Sequence, residues 1–170
     1  MFKEDEAFSR KYPLNKKIKD TDVFLHGTSS KRYDSIKSSG YLLRKVGFER
    51  NFSISQPRIC FEKYVTSGKR ANAKIIDDVA MINYCSNSCK KDGSLEGVIL
   101  QIKGRELKKL DCPIYVDWNK PIARTKNSAG EPNGVKYDAL YVSITIVDKD
   151  IPIEYLELKR RVQFKAEDLA

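Results

Sequence analysis

Apolar and polar positions divide the chain into short segments. Val23-Phe24-Leu25 is a brief apolar run that predicts a strand. Ser29 and Ser30 follow as helix-capping residues, and Tyr33, Ile36 and Lys37 fall at helical spacing over residues 31–39. Gly40 stands where a helix-ending glycine belongs. The first organised unit is therefore a strand, a His26-Gly27-Thr28 corner and a short helix. Residues 42–55 mix basic, aromatic and glycine residues and predict a long surface loop. Arg58-Ile59-Cys60-Phe61, after Pro57, predicts a short strand. Ala73, Ile76, Val79, Ala80, Met81 and Ile82 give residues 69–89 an amphipathic helical pattern. Val98 to Ile102 predicts a buried strand and Ile114-Tyr115-Val116 another. Residues 119–134 hold two prolines and two glycines and predict a loop. Residues 139–147 alternate and are rich in β-branched side chains, which predicts a strand. Residues 155–159 form a last strand or the turn leading into one.

Strands outnumber helices, and the predicted helices fall in the first half of the chain. That order predicts an α+β fold with an antiparallel or mixed core and lacks the regular alternation of a doubly wound one. The expected organisation is a charged arm over residues 1–20 with a short helix near Glu4 to Arg10, one domain over 21–159, and a charged tail over 160–170. A chain of 170 residues and 19.5 kDa fits one domain. Its 41% hydrophobic and 32% charged residues argue against a disordered chain. No apolar run approaches the ~20 residues of a membrane span. Residues 1–20 lack the apolar centre of a signal peptide. The expectation is a cytoplasmic protein with no membrane partner.

Lys and Arg exceed Asp and Glu by 32 to 23, a net charge of +9. That excess either keeps the protein soluble or attracts a polyanion such as DNA, RNA or an acidic protein. The basic residues lie in short clusters (Lys16-Lys17, Lys90-Lys91, Lys108-Lys109, Lys159-Arg160-Arg161) and form no nucleic-acid motif. Cys85 and Cys89 share a face if helical, but with Cys60 and Cys112 they give no C-x-x-C spacing. No metal site is expected, and reduced thiols are.

His26-Gly27-Thr28 is the sharpest chemical feature. A histidine at the end of a strand, then glycine, then a hydroxyl residue before a capped helix makes a small polar corner. Its glycine lets a ligand approach the backbone, and His and Thr can bond ribose hydroxyls or phosphate. Taken alone, such a histidine more often just bonds a neighbouring main chain. Phe24-Leu25-His26-Gly27-Thr28-Ser29-Ser30 with Tyr33, Ile36 and Gly40 resembles the opening of ADP-ribosyltransferases of the diphtheria-toxin and poly(ADP-ribose) polymerase type. Arg58-Ile59-Cys60-Phe61 and Gly97 to Ile102 look like two of that family's core strands. Val147 to Leu156 looks like its closing Ile-Pro, two residues, Tyr-Leu segment. The likeness spans about residues 22–159.

The resemblance implies a split, mostly antiparallel sheet with NAD as substrate in the cleft. It implies an intracellular mono-ADP-ribosyltransferase that moves ADP-ribose to a nucleic acid or protein and releases nicotinamide. His26 would bond the nicotinamide-side ribose, the Gly27 main chain the carboxamide, and Thr28 would help place the ribose. Tyr64 is the candidate for stacking on the nicotinamide; the family's Tyr-Ala position reads Asn72-Ala73 here. The family's catalytic glutamate has no counterpart in residues 139–147, which leaves Asp138 as the candidate acid, with Glu131 in the preceding loop and Ser143 able only to offer a hydroxyl. An acid matters because cleaving the ribose–nicotinamide bond builds positive charge at the anomeric carbon. Trp118 and Tyr115 lead into a loop carrying Arg124 and Lys126, which suits an acceptor base or merely anchors the loop. Two other classes stay open: a catalytically silent module of this fold that binds a nucleotide, nucleic acid or partner protein, and a basic nucleic-acid-binding domain.

Overall fold

The computed structural model describes residues 10–11, 13–45, 57–65, 76–117 and 143–170. Along them run β1 (Val23–Ser29), α1 (Ser30–Ser39), β2 (Tyr41–Leu42), β3 (Ile59–Lys63), α2 (Asp78–Asp92), β4 (Glu96–Lys103), α3 (Gly104–Lys109), β5 (Tyr115–Val116), β6 (Ser143–Ile146), β7 (Ile151–Pro152) and β8 (Glu157–Gln163). Six strands form one sheet in the order β5-β6-β3-β1-β4-β8, and β2 pairs with β7. Every pairing among the described residues is antiparallel. The class is α+β, as the order of apolar segments predicts.

Local chemistry sets the helix ends. The Ser29 hydroxyl accepts from the Arg32 amide at 3.2 Å and opens α1; Gly40, at φ 80°, closes it. The periodic pattern places a helix over 69–89, but α2 starts at Asp78. Asp77 is the cap, accepting from the Ala80 amide at 3.0 Å, and the helix runs on to Gly93 with Lys90 and Lys91 in its last turn. The first part of that predicted helix, residues 69–75, lies outside the described residues. Helices are not confined to the first half of the chain. α3 follows β4, and six residues are too few to leave a periodic signature; buried Leu107 holds it to the core.

Strand alternation divides the interior in two. Phe24, Val98, Leu100 and Ile102 face the larger core with Ile36, Leu42, Ile144 and Ile146. Leu25 and Ile99 face the other way, against Met81 and Cys85 of α2. α2 lies close on the sheet because two strand positions lack side chains. A Cβ on Gly97 would stand 2.5 Å from the Cys85 Cβ, and one on Gly27 2.9 Å from the Tyr84 Cβ.

The ends belong to the fold more than their charge suggests. Leu14 and Ile18 are buried in the larger core, and the Leu14 amide donates to the Ile114 carbonyl at 2.7 Å, so residues 13–20 are no detached arm. At the other end β8 extends through Gln163 with Val162 buried, so residues 160–163 are a strand edge where a tail was expected. Their charges line its exposed face, and only one position in the segment is buried. Within the predicted 42–55 loop, Leu42 is a strand residue and Lys45 bridges to Arg58, while residues 46–55 lie outside the described set. Of the predicted 139–147 strand, Ser143–Ile146 is β6, and residues 139–142 are not among the described residues.

Candidate functional site

The six-stranded sheet forks between β1 and β3. β1 pairs with β3 only through Phe24↔Lys63 and Leu25↔Glu62, yet stays paired with β4 through Ser29↔Gly97. β3 in turn stays paired with β6 from Glu62↔Ser143 to Ile59↔Ile146. At the crotch sits His26, whose ring reaches across to the Cys60 carbonyl at 2.8 Å, where a ladder bond would otherwise run. Its ring also meets Phe61 at 5.5 Å between centroids.

Gly27 turns its main chain into this opening. Val23 accepts from the Tyr64 amide at 2.7 Å, so Val23 faces β3, and antiparallel alternation turns Leu25 and Gly27 the same way. β3 has parted from β1 by then, and among the described residues no strand stands opposite Gly27 on that side. The bare α-carbon of Gly27 is explained by the close approach of Tyr84; its N–H and C=O are what the fork presents.

On the larger-core side of the fork three cationic or ionisable side chains converge. His26 Nδ1 must carry the proton, because a carbonyl only accepts, which leaves Nε2 a bare acceptor. Nε2 is fully buried without a hydrogen-bond partner among the described residues, and so is Arg32 Nε on α1. Burial pushes His26 down to about 4, and the nearby charges of Arg32 and Lys45 push the same way; the Cys60 bond acts against them. Burial also lowers Arg32. Lys45 is lowered by burial first and by Arg32 next. Positive groups held this close favour an anion between them.

On the α2 side, Tyr84 stands beside Gly27 and its hydroxyl donates to Glu62 Oε1 at 2.9 Å. The Ser143 hydroxyl donates to the other oxygen of Glu62 at 2.6 Å. Glu62 is only 6% exposed, while Tyr84 is 41% exposed.

Of the residues singled out in the sequence, the fold brings His26 and Gly27 together at the fork. Thr28 is buried with its hydroxyl 3.4 Å from that of Ser88 on α2. Tyr64 lies at the Val23 end of β1, away from the fork, with the Lys159 ammonium 3.9 Å over its ring. Asp138, Asn72-Ala73, Trp118, Arg124, Lys126 and Glu131 lie outside the described residues. Arg32, Lys45, Glu62 and Tyr84 carried no signal of their own. Tyr84 was visible only as a neighbour of Cys85 in a helical pattern, and Glu62 as the residue after an apolar run.

Cys60, Cys85, Cys89 and Cys112 are free thiols, with Cys85 and Cys89 both buried on the sheet-facing side of α2. Among the described residues no cluster of His, Cys, Asp or Glu fits a metal ion, and no helix is long and apolar enough to cross a membrane. No family model matches this chain, and no curated protein or solved structure does so.

Proposed function

We propose that the chain is an ADP-ribosyltransferase-like protein that binds NAD across the fork, transfers its ADP-ribose to a macromolecular acceptor and releases nicotinamide. The observation that carries the reading is the buried, unpartnered Nε2 of His26 beside the outward-turned main chain of Gly27, at the place where the sheet parts. A dinucleotide suits the arrangement part by part. The N–H and C=O of Gly27 match a planar carboxamide, and Tyr84 packs against the α-carbon of the same residue. The neutral Nε2 accepts from a ribose hydroxyl, and Arg32 with Lys45 meets the diphosphate. The +9 charge favours a nucleic acid or an acidic protein as acceptor.

A silent nucleotide-binding module is the second reading, favoured by the lack of an acid in the described part of β6. Calorimetry and label transfer separate them. NAD and ADP-ribose are expected to bind, with His26→Ala and Arg32→Ala each weakening affinity roughly tenfold, the usual worth of a lost charge-assisted or buried hydrogen bond. Labelled NAD is expected to mark DNA, RNA or protein. Binding without transfer selects the silent module. No heat with NAD, ADP-ribose or nicotinamide at millimolar concentration removes both.

A further inference from the structure

We propose that Glu62 is the carboxylate of the transfer site, delivered from β3. The inference rests on the NAD reading above. Bond cleavage at the anomeric carbon builds positive charge, and a fixed carboxylate in a site shielded from water stabilises it strongly. β6 starts with Ser143, and Ser143–Ile146 offers no acid. Directly across the pair Glu62↔Ser143 an acid is present, one strand nearer to β1.

Three observations place it. Leu25↔Glu62 is the last rung before β1 and β3 separate, so Glu62 stands at the crotch of the fork. It is buried on the α2 side, the side on which Tyr84 covers Gly27. Its two oxygens are held by the Tyr84 hydroxyl at 2.9 Å and the Ser143 hydroxyl at 2.6 Å, which fix the direction of the carboxylate.

The step balances as follows. The bond between C1′ and the nicotinamide nitrogen breaks, and its electron pair leaves with nicotinamide, which becomes neutral. A lone pair of the acceptor forms the new bond to C1′. The acceptor's proton passes to the Glu62 carboxylate and from there to water. Tyr84 and Ser143 act through Glu62 and are positioning residues.

The test compares wild type with Glu62→Gln, following NAD binding by calorimetry and nicotinamide release by chromatography. The expected result is NAD affinity within about threefold of wild type and release slower by on the order of a hundredfold, the usual loss of one electrostatic group in a transition state. Tyr84→Phe is expected to lower kcat by about tenfold while NAD affinity stays within about threefold of wild type. Should Glu62→Gln fail to fold, Ser143→Ala decides: slower release at unchanged affinity supports the assignment, and unchanged release overturns it. Glu62→Gln releasing nicotinamide at the wild-type rate overturns the assignment and leaves the NAD reading standing. Wild type that binds NAD and releases nothing also overturns it. Wild type that binds no NAD overturns both.

Discussion

His26 is the sole histidine, so its ring gives one isolated proton signal that reports the fork directly. Burial with two cationic neighbours holds it near 4, against an ordinary 6.5. The sign for stability follows from proton counts. Between pH 6.5 and about 4 the unfolded chain binds a proton at this position and the folded chain does not. Stability is thus full above the unfolded value and falls as pH drops through that window, by up to about 3 kcal/mol. Denaturant titration at pH 7 and pH 4.5 should show His26→Gln losing less stability on acidification than wild type. Adding ADP should raise the titration midpoint of the ring, since an anion between Arg32 and Lys45 offsets their charge. A midpoint near 6.5 that ADP leaves in place would contradict the buried, cation-flanked geometry. The sequence marks this residue by its place after an apolar run; it could not show Arg32 and Lys45 beside it.

At the scale of elements, α2 and the sheet are fitted to one another at two glycines. Gly97 lies under the Cys85 Cβ, and Gly27 under that of Tyr84. Gly97→Ala puts a methyl where backbone-anchored atoms already stand, so it should destabilise the protein by about 1–3 kcal/mol through overpacking. Thermal denaturation checks this, and an unchanged melting temperature would mean that α2 does not sit against β4 as described. The same packing carries a functional consequence. Gly27→Ala displaces Tyr84 from beside the fork and should weaken NAD binding even where the fold survives. Most of these elements were readable beforehand. Capping residues and alternation are local, and they place β1, α1, β4 and β6 within a few positions. The start of α2 was not readable, because apolar spacing continues back through Ile76 while only the Asp77 side chain sets where the first turn closes. α3 was missed because tertiary burial of Leu107 holds a single turn and a half that propensity would not.

The whole molecule is a sheet in two halves, β5-β6-β3 and β1-β4-β8, joined by two residue pairs. Each half needs its own fastening. In the first, Arg58 and Asp117 form an ion pair at 3.8 Å with both side chains about 5% exposed, and the Asp117 amide donates to the Ser143 carbonyl at 3.0 Å. Asp117→Ala leaves the buried guanidinium without this carboxylate and should cost about 3 kcal/mol, read from urea unfolding. It should also slow nicotinamide release, because Ser143 and Glu62 hang on that half. Behind the fork, β2 and β7 pair, and Arg44 binds Asp150 at 3.0 Å. That places the Ile151-Pro152 segment against the end of α1.

The order of apolar segments by itself determined the α+β class and the polar corner after β1, because these depend on contacts within a few residues. Only the tertiary structure decided that β1 and β3 separate after Leu25, that Arg32 and Lys45 flank His26, and that Glu62 meets Tyr84 and Ser143. Apart from Arg32, six positions from His26, those contacts join residues 19 to 81 positions apart. Their partners are chosen by strand register and by the helix lying over the sheet, which no local pattern encodes.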